Sequence, residues 1–206
     1  RRRVSRPTRE KSFMGTVTLL AGMAVFFGVH SVSIVAPAWR DRMVARLGEP
    51  VWKGVYAVAS VVGFILMIRG YSHAKLDPTV VYEPAYWLRH LAAIVMVPVF
   101  PLLLSTYFPG RIKAAAQHPM LAATKLWAAA HLLANGMLPD VLLFGGFLAW
   151  AIVDRISLKH RPVRPIKVLP ERRFNDLVAV VAGFALYVWF IAWAHYRLFG
   201  VSPVTG

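Results

Sequence analysis

Apolar and polar positions along the chain sort into long apolar stretches separated by short basic ones. Phe13 to Ala36, Leu91 to Gly110 and Leu177 to Tyr196 contain no Asp, Glu, Lys or Arg. Runs of this kind match the roughly 20 residues that an α-helix needs to cross a bilayer. Six helical spans account for the pattern. The first runs from Phe13 to Ala36 and stops at Pro37, because the residue before a proline leaves helical geometry. The second covers Val51 to Ile68. The third covers Tyr86 to Phe108, with Pro98 and Pro101 expected to kink it. Membrane helices tolerate such kinks when neighbours re-satisfy the freed carbonyls. The fourth starts at Pro119, a favoured first-turn position, and closes at Asn135-Gly136. The fifth runs from Asp140 to Leu158 and the sixth from Asp176 to Phe199. The expected fold is all-α, a polytopic transmembrane helix bundle. It divides into a basic N-terminal tail (1–12), a membrane domain of five spans (13–158), and a basic Pro-rich loop with the sixth span (159–206).

Composition changes the picture in one respect: it excludes a soluble domain. Hydrophobic residues make up 58% of the 206 residues and charged ones 16%. The mean hydropathy is +0.55. A soluble fold must cover its surface with polar groups, and this chain has too few. The lipid bilayer is therefore the first expected partner. The formal charge of +15 would in another setting point to nucleic acid. Here Lys and Arg sit in the N-terminal tail and between the apolar runs, as they do beside anionic headgroups, so no nucleic-acid partner is expected. Basic segments fall on both sides of the membrane, which leaves the orientation open. The basic tail is followed by an apolar run longer than the roughly 7–15 residues of a signal core, and reads as a retained first span. The absence of cysteine excludes disulfides, thiolate metal sites and thiol nucleophiles. Trp39, Trp52, Trp87, Tyr107 and Trp193 fall near the ends of spans, as interfacial aromatics do. Gly145 with Ala149, and Ala179 with Gly183, have the spacing that lets membrane helices approach closely.

The segment "HPMLAATKLWAAAHLLANG" at 118–136 carries the candidate chemistry. It is apolar enough for lipid, yet it holds His118, Lys125, His131 and Asn135. A charge near mid-bilayer costs about 2.5–3.5 kcal/mol on insertion scales. Lys125 either snorkels to the nearer surface or faces the bundle and neutralises an anionic group such as a carboxylate. Helical geometry puts Thr124, Trp127, His131 and Asn135 on one face. His118 falls about 220° around the same helix, so it cannot share a ligand with His131, and it reads as an interfacial N-cap. His30 in the first span and His90 in the third also fall within the hydrocarbon zone, whereas His195 is interfacial and His73 and His160 lie in loops. Asp140, Asp154 and Asp176 all lie near helix ends, which argues against a carboxylate metal site or an acid–base pair in the core. Imidazoles without carboxylates suit a porphyrin iron, which leaves two axial positions for histidine. They equally suit ordinary interhelical hydrogen bonding. Residue types alone leave both readings open.

A family resemblance favours the first. "HPMLAATKLWAAAHLLANG" with "LLFGGFLAW", "RHLA" at 89–92, "FPGRIKAAAQHP" at 108–119 and "VHSVSIVAPAWRDRMVARLGE" at 29–49 resemble the NnrU family of bacterial membrane proteins over residues 13–155. The resemblance implies a bacterial inner-membrane protein associated with nitrite and nitric oxide reduction. It also implies kinship with the plastid zeta-carotene isomerase, a haem b protein of the membrane with histidine axial ligands. By position in the motifs those ligands resemble His30, from "VHSV", and His131, from "AAAHLL". The isomerase exchanges a ligand for cysteine on reduction, and a chain without cysteine puts that exchange in doubt here. At about 1.5 Å per residue, His131 and His90 lie at similar depths, about 9 and 6 Å from one side, and His30 at about 25 Å. His90 is therefore the challenger to His30. Arg89 and Lys125 are expected at haem propionates, and Asn135 behind His131.

Two functions follow. In one, the chain binds haem b between helices and acts on or senses a small hydrophobic or nitrogen-oxide ligand, as an isomerase or redox protein. In the other it is a haem-free accessory subunit packed against a larger membrane complex. A transporter is less in keeping with the sequence, which has no inverted repeat or paired broken spans.

Overall fold

The computed structural model describes residues 6–162, 164 and 166–203. Arg1 to Ser5 of the expected basic tail, and Val163 and Pro165 of the Pro-rich loop, lie outside the described residues. The described chain is all-helical apart from one isolated bridge, Val80 to Met137. It forms two compact units, Arg1–Val81 with Met137–Gly146, and Tyr82–Gly136 with Phe147–Gly206.

The first unit is built on a hairpin of two long helices, α1 (Arg6–Val35) and α3 (Glu49–Ala74), joined by the short α2 (Pro37–Leu47). Both turns at α2 follow from the sequence. Pro37 ends α1 and sits in the first turn of α2, and Gly48 at φ +81° separates α2 from α3. α1 and α3 run antiparallel along a seam of small residues. Gly15 lies against Ala74, Leu19 against Gly70, Gly22 against Met67, and Phe26 against Gly63. A Cβ on Gly22 would come within 2.6 Å of the Met67 nitrogen, and one on Gly63 within 2.8 Å of the Phe26 nitrogen. Without side chains at these positions the backbones come into direct van der Waals contact, the main attraction available between helices in lipid. Gly15 and Gly22 are seven residues apart, as are Gly63 and Gly70, which keeps one face of each helix on the seam. Ser12 Oγ closes the open end, within bonding distance of the Ala74 and Asp77 carbonyls at 2.9 and 3.1 Å.

The second unit contains α4 (Leu88–Met96), α5 (Val99–Ser105), α6 (Arg111–Ala116) and α7 (Pro119–Ala134). It also contains the later part of α8 (Leu138–Ser157), which starts in the first unit, then α9 (Asn175–Trp189), a π-helical turn (Phe190–Ala194) and α10 (His195–Phe199). The kink expected at Pro98 is a break between α4 and α5. Pro98 has no N–H to donate, and the Val97 N–H turns to the Ile94 carbonyl instead of Ala93. The Tyr187 hydroxyl of α9 donates to the Ala93 carbonyl at 2.8 Å. A neighbouring helix thus repairs the proline break, as the bilayer demands. Gly183 lets α9 come onto Pro101, where a Cβ would overlap the Pro101 backbone. Of the two small-residue pairs read from the sequence, Ala179 with Gly183 is a buried contact, whereas a Cβ on Gly145 would meet no atom within 4 Å.

Among the described residues, four helical stretches are long and apolar enough to cross a membrane, Arg6–Val35, Glu49–Ala74, Leu88–Ser105 (α4 with α5) and Asn175–Phe199, against the expected six. The two short of that standard have a physical reason. α7 has 16 residues and rises about 24 Å, less than the hydrocarbon thickness of about 30 Å. α8 has 20 residues but carries Asp140, Asp154 and Arg155 within its ends. The sequence reading also passed over α2 and α6, both too short to show a period.

The seam predicts opposite signs for one substitution at two sites. Alanine is the better helix former by about 1 kcal/mol, so Gly145→Ala should stabilise slightly in a denaturant titration in detergent. Gly70→Ala should destabilise by about 1–3 kcal/mol, because its Cβ overlaps the Leu19 backbone. Tyr187→Phe should cost about 1–3 kcal/mol in the same titration, the penalty for leaving the Ala93 carbonyl unpaired in an apolar setting.

Candidate functional site

α7 carries His131 on the face predicted from helical spacing. The ring Nδ1 lies 2.8 Å from the Trp127 carbonyl oxygen one turn earlier. A carbonyl only accepts, so Nδ1 carries the proton and Nε2 holds the lone pair, the tautomer of a metal-binding histidine. The Trp127 ring sits 5.2 Å from the imidazole and packs edge-on against Phe147 at 5.3 Å. Asn135 does not reach the imidazole. Its amide donates to the His131 carbonyl at 2.9 Å and closes the end of α7. The Tyr82 hydroxyl adds to this cap, bonding the Leu132 carbonyl and, at 2.8 Å, that of Asn135. The end of the helix carrying His131 is thus held by its own side chain and by a tyrosine far away in sequence.

Lys125, one and a half turns earlier, is half-buried. Among the described residues no carboxylate pairs with it. His90 and Arg89 lie in the first turn of α4, both exposed, around the Tyr86 ring at 5.6 Å each. His118 occupies the N-cap position of α7, as expected, without a side-chain cap bond. Its imidazole titrates below the ordinary histidine range, first through desolvation and then through the Arg155 guanidinium.

His30 belongs to the first unit, so the six residues singled out from the sequence divide between the two units. Its local arrangement repeats that of His131. Nδ1 lies 2.7 Å from the Phe26 carbonyl, four residues earlier, and fixes the same tautomer. Phe26 stacks on the ring at 4.1 Å and Tyr56 of α3 sits at 5.1 Å. Among the described residues no group of three His, Cys, Asp or Glu side chains gathers for a metal ion.

One constellation escaped the sequence reading. Asp140, in the first turn of α8, is 0% exposed. Its carboxylate accepts the Tyr71 hydroxyl at 2.5 Å, Lys75 Nζ at 3.0 Å to each oxygen, and the Met137 N–H at 3.2 Å. Asp140 does lie at a helix end, as expected, but α3 closes over it, so an acid and a base meet in a buried position after all. Four hydrogen bonds from three donor groups, with the helix N-terminus, compensate its charge. Tyr71 and Lys75 stand four apart on α3 and so share a face; that spacing was the available signal. Asp140→Asn should cost about 3 kcal/mol of stability, the low end for breaking a buried pair because Lys75 keeps some solvent. Asp41→Asn, at an exposed pair, should cost less than about 1 kcal/mol in the same denaturant titration.

With this geometry in hand, comparison with known proteins adds one positive finding. The family model described as "NnrU protein" matches residues 18–203. The match takes in the last span, which the motifs at 29–150 had left unassigned. No curated protein and no solved structure matches the chain.

Proposed function

The chain belongs to the NnrU family, and we propose that it is a haem b protein of the bacterial inner membrane, with His131 in one unit and His30 in the other as the histidines that would hold haem iron. The observation that carries this reading is the shared hydrogen bond of the two imidazoles. Each gives its Nδ1 proton to a carbonyl of its own helix, at 2.8 and 2.7 Å, which makes Nε2 the nitrogen that carries the lone pair. Such a bond orients a ligating histidine and raises its basicity. The donor set fits a haem, whose iron takes nitrogen ligands and needs no carboxylate.

Lys125 supplies a half-buried cation suited to a propionate, and Arg89 an exposed one. Asn135 and Tyr82 act on His131 through the helix end, which they hold in place. A bound haem supplies a Lewis-acidic, redox-active iron. The chemistry is directed at a small hydrophobic or nitrogen-oxide ligand, in nitrite and nitric oxide metabolism or in isomerisation of a polyene. With no cysteine in the chain, thiolate ligation has no donor.

Protein purified from haem-replete cells should show a Soret band. His131→Ala should remove most of it and shift what remains, and His30→Ala should change it likewise. His90→Ala should leave it unchanged, and a spectrum altered by His90→Ala and not by His30→Ala would move the second ligand to α4. A colourless, folded wild type sinks the proposal, and one that co-purifies with a larger membrane complex would instead make the chain an accessory subunit.

A further inference from the structure

At one end of the α1–α3 hairpin the three helices of the first unit leave a groove of about 230 Å³. Val29 and Val32 of α1 line its apolar part. Arg40 of α2 and Lys53 of α3 bring two cations to it, and Trp52 and Tyr56 add aromatic walls. We propose that this groove binds an anionic phospholipid, its phosphate between Arg40 and Lys53 and the start of an acyl chain along Val29 and Val32.

Four observations support that occupant over any other. The first is depth. The groove lies where two membrane-length helices end, next to Trp39 and Trp52, which meet edge to face at 5.8 Å. Tryptophans at helix ends mark the headgroup level of a bilayer. The second is charge. The segment from Pro37 to Lys53 holds Arg40, Arg42, Arg46 and Lys53 against Asp41 and Glu49. The third is pre-positioning. The Arg40 guanidinium sits 6.0 Å from the Trp52 ring centroid and 2.9 Å from Asp41, and its side chain is only 21% exposed. Lys53 is held at 2.7 Å by Glu49, one turn earlier, with its side chain 66% exposed. The exposed Lys53–Glu49 pair is weak, so it orients Lys53 without withholding it from a phosphate. The fourth is the combination of an apolar wall with a cationic rim. A free phosphate needs only the rim, whereas a phospholipid uses both.

The test is native mass spectrometry of the full chain in detergent, offered equal phosphatidylglycerol and phosphatidylcholine. The wild type should retain phosphatidylglycerol preferentially. Lys53→Gln should reduce that preference about fivefold, the effect of one cation near an anionic surface. Arg40→Gln with Lys53→Gln should bring it to parity, and Arg40→Lys with Lys53→Arg should keep it. Arg172→Gln with Arg173→Gln removes the same charge from an exposed segment elsewhere and should leave the preference intact. Equal loss in that control, or no preference in the wild type, overturns the site. So does displacement of the lipid by millimolar inorganic phosphate, which would make the occupant a soluble anion. Loss of a Soret band with unchanged lipid retention in the double Gln variant would also overturn it, because the cations would then serve an anionic cofactor. Lys53→Gln alone lies on an exposed side chain, so the test survives if the double variant fails to fold.

Discussion

Lipid offers no hydrogen bonds, and that constraint organises both units. Every place where a helix stops or bends within an apolar stretch leaves backbone groups that water cannot satisfy. The break at Pro98 is repaired by the Tyr187 hydroxyl. The end of α7 is closed by Asn135 and Tyr82, and the start of α8 by the Asp140 carboxylate on the Met137 N–H. The first two N–H groups of the short α6, those of Arg111 and Ile112, donate to the carboxylate of Asp176, 65 and 64 residues away in sequence. A Cβ on Gly110 would meet that same carboxylate, so the "FPGR" segment and the Asn175-Asp176 pair fit as one joint. The polar residues of this apolar chain are, for the most part, terminal partners of helices.

The two candidate ligands follow the same rule. His30 and His131 each bond a carbonyl of their own helix, which satisfies Nδ1 without help from a second helix. Asp140 is the contrasting case. Its four hydrogen bonds, from three donor groups, account for both oxygens, and what it holds together is α3 and the start of α8. A buried carboxylate so fully compensated serves as an anchor, and its cost in desolvation is offset by charge-assisted bonds.

Much of the candidate site was legible because it depends on local geometry. The shared face of Thr124, Trp127, His131 and Asn135 is a consequence of helical pitch, and the structure shows contacts between turns from Trp127 through His131 to Asn135. Pro119 and Asn135 marked the limits of α7 closely. The Gly145–Ala149 pair shows where spacing misleads. It has the same pattern as Ala179–Gly183, but only the latter faces a neighbouring helix within its unit. The spacing of Gly15 with Gly22 and of Gly63 with Gly70, which does make the tightest seam, went unnoticed, because seven-residue repeats of glycine gain meaning only when two of them are set side by side.

The sequence by itself determined that the chain is a helical membrane protein, where α7 begins and ends, and which face of α7 is polar, whereas α1 starts at Arg6 rather than Phe13 and α3 runs on to Ala74 rather than Ile68. Those properties arise from solvent transfer and backbone pitch, which act on residues near one another in the chain. Only the tertiary structure decided that Asp140 meets Tyr71 and Lys75, and that Tyr187 repairs the break at Pro98. It also decided that three helix ends of the first unit leave a cationic groove. Each of these depends on which distant segment supplies the missing donor, acceptor or surface, and no periodicity within a single segment contains that information.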